Sequence, residues 1–365
     1  MPGESISDET RQKVARSILT KNLKVRKGER VIGEGWNHTL PWAVALSREA
    51  RRLGAQPIII YEDEPAYWDA VEDGEAKVVG APAAHETAAW TKTDVYIHMW
   101  GPGDLVRMSQ QSEATQNKLF AWNEGWYATA RKAGIRGARL ELGRPYPSMA
   151  KAYGVDEAAW THQLVEATLA DPGSMARTAA PIAKALATGK RLRVRHPNGT
   201  DVTLGLGGFK PRVFTAVVLP AGKRGPFDML TTIPNGAVRV ALDEKVADGT
   251  VVANRTSFYD SMGATGGTFH FADGRLTEAT FATGGERFDR EFAKGGKGRD
   301  QPGWFAIGLN PGLSNTPPDE DLERGAVTIT VGGNRGFGGK NTSPFFGWTV
   351  IAGATVEVDG KRISP

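Results

Sequence analysis

The chain of 365 residues contains no cysteine. Its six histidines are therefore the residues best suited to metal binding or acid–base chemistry. They are His38, His85, His98, His162, His196 and His270. Local metal sites place two ligands about two to five residues apart, and no two of these histidines are that close. The sequence therefore lacks a local metal-binding motif. It also excludes disulfides, zinc–thiolate sites and cysteine nucleophiles.

Motifs that bind phosphate groups or present a nucleophile are absent as well. The first predicted strand runs into Gly33–His38, where the side chains are too large to admit a pyrophosphate and Gly-x-Gly-x-x-Gly is missing. There is no P-loop, no His-Glu-x-x-His and no Gly-x-Ser-x-Gly. We therefore expect no cofactor.

Five polar residues remain as candidates for a site, namely Glu124, His98, His38, Asp260 and Asn310. Glu124 lies between Trp122 and Trp126, and a carboxyl group surrounded by indole rings can exchange protons near neutral pH. The alternative is a solvated glutamate in a surface loop. His98 is the histidine expected at a ligand site. Glu124 and His98 are therefore the predicted catalytic residues.

The elements that must position these residues alternate between strand and helix in the first half. The predicted strands are 30–34, 57–61, 94–98 and 118–122, and a helical stretch follows at 155–189. Continuous apolar strands separated by helices are typical of a parallel sheet covered on both faces. Ligands of such sheets bind beyond the carboxyl ends of the strands, so we expect a site there.

Tryptophan recurs at these strand ends. Trp36, Trp100, Trp122 and Trp126 follow the predicted strands, and His38 lies beside the first. An aromatic lining suits a flat aromatic, an isoprenoid or a cationic ligand. The alternative is burial in the core, which is the prediction for the tryptophans within or beside helices, Trp42, Trp68, Trp90 and Trp160.

The pattern changes in the second half. From Arg191 onward the chain shows short alternating strands and glycine-rich turns, with hairpin signals at Asp273-Gly274 and Asp359-Gly360. We therefore predict an α/β, Rossmann-like domain with a parallel sheet at 1–190. A mostly antiparallel β (α+β) domain should follow at 191–365.

Composition and charge limit the partners. Hydrophobic residues make up 40% and charged residues 24%, lysine and arginine are scattered, and the net charge is +4. No basic tract favours nucleic acid, and no apolar run predicts a signal peptide or a membrane span. The sequence predicts a cytoplasmic protein that acts on a small-molecule substrate, with no nucleic acid and no membrane as partner.

Three segments carry a family resemblance: Asn22–Ile32, Tyr146–Ala150 and Arg191–Thr203, the last with a specific Gly-Thr-Asp turn. They resemble the thermophilic metallo-aminopeptidase family of the aminopeptidase T and aminopeptidase S type. Segments 308–311 and 338–340 resemble the dihydroxypyridine ring-cleaving dioxygenase relatives of that family. The resemblance implies a homodimer, and two domains that face each other across a cleft.

The resemblance also implies five metal-ligand places in the second domain, here called the ligand positions. In this chain they hold Ala237, Trp304, Thr328, Phe346 and Trp348. The iron of the dioxygenase relatives would use the places of Trp304, Phe346 and Trp348. These side chains offer a divalent ion only one hydroxyl, which is a weak neutral ligand. The chain is therefore predicted to be a divergent member whose metal ligands are replaced.

We predict a metal-independent enzyme with hydrolase- or lyase-type acid–base chemistry on a small apolar or aromatic molecule. Trp304, Phe346 and Trp348 should line the cleft together with the strand-end aromatic residues, and Asn310 should supply hydrogen bonds. Two alternatives remain open. One is a catalytically inactive homologue that binds a ligand, and the other is an aminopeptidase-like metallo-hydrolase with relocated ligands.

Overall fold

The computed structural model describes residues 6–219, 229–255 and 263–365. The chain divides into a first unit, Met1–Leu169 with Ala216–Pro234, and a second unit, Ala170–Thr215 with Asn235–Pro365. The sequence pattern places the boundary at 190, about twenty residues later than the structure does. The helix Pro172–Thr188 belongs to the second unit because its apolar residues enter that unit's core. These residues are Met175, Ala179, Ile182 and Leu186.

The helices and strands have the following bounds. The helices are α1 Asp8–Ser17, α2 Leu40–Arg52, α3 Glu64–Glu72, α4 Ala76–Val79, α5 Ala84–Trp90, α6 Leu105–Gln110, α7 Glu113–Ala133, α8 Pro147–Tyr153, α9 Glu157–Leu169, α10 Pro172–Thr188 and α11 Gly285–Lys294. The strands are β1 Arg30–Trp36, β2 Gln56–Glu62, β3 Val95–Met99, β4 Arg136–Leu140, β5 Arg191–His196, β6 Thr200–Gly205, β7 Arg212–Phe214, β8 Leu230–Ile233, β9 Ala237–Ala241, β10 Ala247–Val252, β11 Thr268–Ala272, β12 Arg275–Thr280, β13 Pro302–Gly308, β14 Val327–Gly332, β15 Phe346–Ile351, β16 Thr355–Val358 and β17 Lys361–Ile363.

The first unit is built on a parallel sheet with the strand order β2-β1-β3-β4-β8. Each neighbouring pair in it runs parallel. On one face, Ile32 and Tyr96 pack against Trp90 of α5 and Trp126 of α7. The predicted α/β fold with a parallel sheet is confirmed.

The prediction of a strand at 118–122 is wrong, because this segment lies inside the long helix α7. Ser112 caps the helix by accepting a hydrogen bond from the backbone of Thr115, and Gly134 ends it in the left-handed conformation. The buried residues of α7 recur at helical spacing, at Leu119, Trp126 and Ala130. The fourth parallel strand is β4, whose arginines conceal it from a search for apolar runs.

The second unit contains two antiparallel sheets. Their strand orders are β12-β11-β10-β6-β5-β16-β17 and β15-β14-β13-β9-β7. Both sheets contribute apolar residues to one core, for example Val194 and Phe269 from the first and Phe305 and Ile329 from the second. This confirms the predicted β-rich second part of the chain.

The two predicted hairpins are present. Asp273 and Gly274 connect β11 to β12 with φ angles of 50° and 74°. Asp359 and Gly360 connect β16 to β17 with φ angles of 47° and 78°. Two consecutive residues with positive φ are typical of a tight hairpin turn.

The helix-borne tryptophans are buried as predicted. Trp42, Trp68, Trp90 and Trp160 are at most 7% exposed. Among the described residues, none of the helices is both long and apolar enough to cross a membrane.

The register of β3 and β4 can be tested at Gly137. A Cβ atom there would lie 2.0 Å from the carbonyl oxygen of Tyr96 and 2.8 Å from Leu230. Gly137→Ala should lower the free energy of unfolding by about 1–3 kcal/mol in urea denaturation, because the neighbouring backbone has little freedom to move. The matched control is Gly33→Ala in β1, where the nearest atom would be 4.0 Å away. Equal losses in the two variants would contradict this register.

Candidate functional site

Two polar side chains meet at the carboxyl ends of β1 and β3. Gly33 pairs with Ile97 in the parallel register, and this brings the next residues, Glu34 and His98, side by side. Nδ1 of His98 lies 2.5 Å from Oε2 of Glu34. The hydroxyl of Tyr96 donates to the same oxygen over 3.0 Å. One carboxylate therefore holds both an imidazole and a phenol.

This contact fixes which nitrogen of His98 carries the proton. A carboxylate only accepts hydrogen bonds, so Nδ1 donates and Nε2 holds the lone pair of the neutral ring. Nε2 makes no hydrogen bond to any of the described residues, and the side chain is 22% exposed. Burial and Glu34 hold the pKa of Tyr96 well above its ordinary value, so the phenol stays protonated and keeps donating.

Arg139 and Thr232 extend this pair across the sheet. His98 pairs with Arg139, and Arg139 pairs with Thr232. Partners in register point to the same face, so Glu34, His98, Arg139 and Thr232 form a row over β1, β3, β4 and β8, here called the polar row. The side chain of Arg139 is 42% exposed.

Trp100 packs against two guanidinium groups. Cζ of Arg139 lies 4.9 Å and Cζ of Arg144 4.6 Å from its ring. Its indole nitrogen donates to Oε2 of Glu141 over 2.9 Å, and Nε of Arg144 lies 2.9 Å from the same oxygen. The Glu141 side chain is 2% exposed, and a buried carboxylate needs such partners. Trp100 therefore supports Arg139 of the polar row and its neighbour Arg144.

Trp36 and His38, predicted to contact substrate, have packing partners of their own. Trp36 is 6% exposed and meets Tyr67 edge-on at 5.3 Å. Nε2 of His38 donates to the carbonyl oxygen of Gly143 over 2.9 Å. Burial lowers the pKa of His38, although that hydrogen bond and nearby Glu64 act in the opposite direction. His38 thereby connects the loops after β1 and β4, and Trp36 packs the end of β1 against α3.

The remaining predicted residues of the first unit lie on α7. Trp126 is 2% exposed and packs on Tyr96 at 4.9 Å. Trp122 meets Trp90 edge-on at 5.2 Å. Glu124 is exposed on the helix, so the indole rings do not remove it from water. The expectation that Glu124 follows a strand between two indoles is wrong, because the segment is helical.

In the second unit, all five ligand positions lie in the sheet β15-β14-β13-β9-β7. Ala237 belongs to β9, Trp304 to β13, Thr328 to β14, and Phe346 and Trp348 to β15. The register between these strands puts all five on one face, opposite to the core residues Phe305 and Ile329. We call it the outer face.

A guanidinium group lies on the outer face. Arg239 pairs with Ala306, which in turn pairs with Thr328. Cζ of Arg239 lies 5.2 Å from the rings of both Trp304 and Phe214. Its Nη2 donates to Asp321 over 2.7 Å.

The aromatic residues of the outer face differ in exposure. Trp304 is 5% exposed, Trp348 is partly exposed and Phe346 is 37% exposed. The ring of Trp348 lies 6.4 Å from that of Trp304 and 6.1 Å from that of Phe346. The three predicted substrate contacts therefore form one aromatic stripe.

Comparison with known proteins shows the family of this chain. The sequence model of the thermophilic metalloprotease (M29) family matches residues 7–315. The chain belongs to this family. AmpT from Thermus thermophilus has a similar structure, with a TM-score of 0.72 and 20% identity over 98% of this chain and 97% of that one. The 2,5-dihydroxypyridine dioxygenase from Pseudomonas putida KT2440 also has a similar structure, with a TM-score of 0.62. Its identity is 14% over 99% of this chain and 96% of that one. No curated protein matches.

The residues of this M29 member do not fit the metal that the family name implies. Alanine and phenylalanine carry no donor atom, and the indole nitrogen of tryptophan only donates a hydrogen bond. Thr328 offers one neutral hydroxyl, and the cation of Arg239 on the same face opposes a second cation. In the part of the chain that the structure describes, no group of three or more histidine, aspartate or glutamate side chains is arranged to hold a metal ion.

Asn310 has a structural position. It is fully buried, its Nδ2 donates to the carbonyl oxygen of Asn235 over 2.9 Å, and its Oδ1 accepts from the backbone of Gly312 over 2.9 Å. It thereby holds the turn after β13. Asp260 lies outside the described residues.

Sequence reasoning missed Glu34, Arg139 and Arg239. A signal for Glu34 exists, because it is the acidic residue within the otherwise largely apolar run 31–36, and such a residue needs a partner. The arginines lack a comparable signal. Their positions beside His98 and Thr328 follow only from the register of strands that are distant in sequence.

Trp304 and Trp348 should differ in what they contribute to stability. Trp304→Ala removes a buried ring and should cost about 3–5 kcal/mol of unfolding free energy, while Trp348→Ala should cost less because part of its ring already faces solvent. Urea denaturation of the two variants measures this difference. A larger loss for Trp348→Ala would show that its ring is enclosed in solution.

Proposed function

We propose that this M29 family member is a metal-independent enzyme that uses Glu34 and His98 for acid–base chemistry on a small apolar or aromatic molecule. The observation that carries the proposal is the state of His98. One ring nitrogen is bound by a carboxylate, and the other has no hydrogen-bond partner among the described residues. This pair lies at the carboxyl edge of a parallel sheet, where ligands of such folds bind.

The pair is suited to general base catalysis. Nε2 of His98 takes a proton from water or from the ligand, and Glu34 stabilises the imidazolium that forms. The hydroxyl of Tyr96 keeps Glu34 in place. The imidazolium then returns the proton to the leaving group. Hydrolysis and elimination both begin with this proton transfer, so the proposal covers hydrolase- and lyase-type reactions.

The kind of ligand is proposed from the ring beside the imidazole. Trp100 is partly exposed and lies 6.1 Å from the ring of His98, which favours apolar or aromatic molecules through contact with a ring face. The homodimer and the cytoplasmic location expected from the sequence stay predictions.

One prediction from this proposal concerns metal content. Protein purified without chelator should carry well under one equivalent of zinc, cobalt, manganese or iron by plasma emission analysis, because the ligand positions offer a divalent ion only the neutral hydroxyl of Thr328. Incubation with these ions followed by gel filtration should leave none bound. A stoichiometric metal in either experiment would support the metallo-hydrolase with relocated ligands instead.

Another prediction from this proposal concerns the proton transfer. His98→Asn and Glu34→Gln should each lower kcat by about a hundred- to ten-thousandfold, because each removes a partner in general acid–base catalysis. Turnover is measured on 4-nitrophenyl esters and 4-nitroanilides, and on any molecule that mass spectrometry finds bound to the purified protein.

One matched control is Glu124→Gln, at an exposed position of α7. The other is His270→Asn on β11, where the histidine side chain is 43% exposed. Both should retain full turnover. Full turnover in His98→Asn would exclude the acid–base proposal. A bound molecule that no variant and no wild-type protein turns over would favour the inactive, ligand-binding homologue.

A further inference from the structure

The proposed function leaves Arg139 of the polar row without a role. Arg139 pairs in register with His98, and neighbouring strands lie about 4.8 Å apart. A group bound to its guanidinium therefore lies close to the imidazole. Its side chain is 42% exposed, so a ligand that approaches the sheet edge can reach it.

The guanidinium of Arg139 is held on one side only. Nε lies 3.2 Å from Oε1 of Glu141, and Nη2 makes a long contact of 3.5 Å with the hydroxyl of Thr232. Nη1 has no hydrogen bond to the residues that the structure describes. Trp100 supports the group, with its ring 4.9 Å from Cζ. The cation is thus oriented in advance and retains donors for a ligand.

These donors suit an anion. A guanidinium binds carboxylates through directed, charge-assisted hydrogen bonds. Glu34, the other charged member of the polar row, is already bound to His98 and Tyr96 and does not compete for Arg139. The row therefore offers a base in one strand and an anion-binding group in the next.

We propose that Arg139 is a substrate-binding residue and that the substrate is a small carboxylate, held by Arg139 with its reacting part beside Nε2 of His98. This inference rests on the proposed function for the role of His98. Trp100 acts as a positioning residue, because it contacts the guanidinium rather than the reacting atoms.

The test is the binding of benzoate, which does not react, against benzamide, its uncharged counterpart. Two NMR signals report on the site: the ring Cε1–H of His98, assigned with His98→Asn, and the indole N–H of Trp100, assigned with Trp100→Phe. Benzoate should shift both signals with a dissociation constant of about 1 mM or tighter, and benzamide should shift neither.

Arg139→Gln should weaken benzoate binding by about tenfold or more, and Arg139→Lys should retain part of it.

Arg139→Gln is expected to fold, because Arg144 and Trp100 still contact the buried Glu141 carboxylate; thermal unfolding checks this. The matched control is Arg193→Gln, which removes the same charge from an exposed ion pair with Asp201 in the second unit and should bind benzoate like the wild type. Unchanged binding in Arg139→Gln, equal shifts with benzamide, or no shift at either signal would overturn the proposal.

Benzoate binding by the Arg139 variants and turnover by His98→Asn and Glu34→Gln are separate measurements, so they separate this inference from the proposed function. If benzoate binds through Arg139 while His98→Asn keeps full turnover, the acid–base proposal fails alone. If His98→Asn and Glu34→Gln abolish turnover while Arg139→Gln binds benzoate like the wild type, the carboxylate proposal fails alone.

Discussion

The parallel register of β1, β3, β4 and β8 is the constraint on which the polar row depends. Glu34, His98, Arg139 and Thr232 come from four segments separated by 41 to 93 residues, and no local motif connects them. A shift of one strand by a single residue would send its side chain to the other face of the sheet. The apolar packing of Ile32 and Tyr96 against α5 and α7 therefore also fixes the chemistry at the sheet edge.

The outer face of the second unit carries the five ligand positions on one side of one sheet. Their side chains are three aromatic rings, a methyl group and a hydroxyl. Arg239 introduces a cation among them, ion-paired with Asp321 and surrounded by Trp304 and Phe214. A face with this composition offers rings for stacking or cation–π contact, whereas acidic and imidazole side chains would bind metal cations.

The sequence predicted those parts of the fold that local pattern determines. Apolar strands 30–34 and 57–61, the Asp-Gly hairpins and the change to antiparallel structure all appear in the structure. The secondary structure predicted from the sequence is wrong where a helical pattern and a strand pattern compete in one segment. Leu119, Phe120 and Trp122 resemble a strand, but capping at Ser112 and Gly134 makes the segment helical. The true strand β4 contains two arginines, which pair with Glu29 and Glu141 and so tolerate a central position in the sheet.

The same difficulty limited the prediction of the site. The sequence indicates His98 because it ends an apolar strand, but its carboxylate partner lies 64 residues away. Two tryptophans flank Glu124 in the sequence, but in a helix they point away from it toward the core. Side chains that act together across a sheet are visible only once the strand order is known.

The return of the chain at β8 has a consequence for synthesis. The first unit is completed by Ala216–Pro234, after the chain has already entered the second unit. A ribosome must therefore translate about two-thirds of the 365 codons before Thr232 can join the sheet. Until then β4 is an edge strand with unpaired backbone groups, a surface that a nascent chain exposes to chaperones and to other chains.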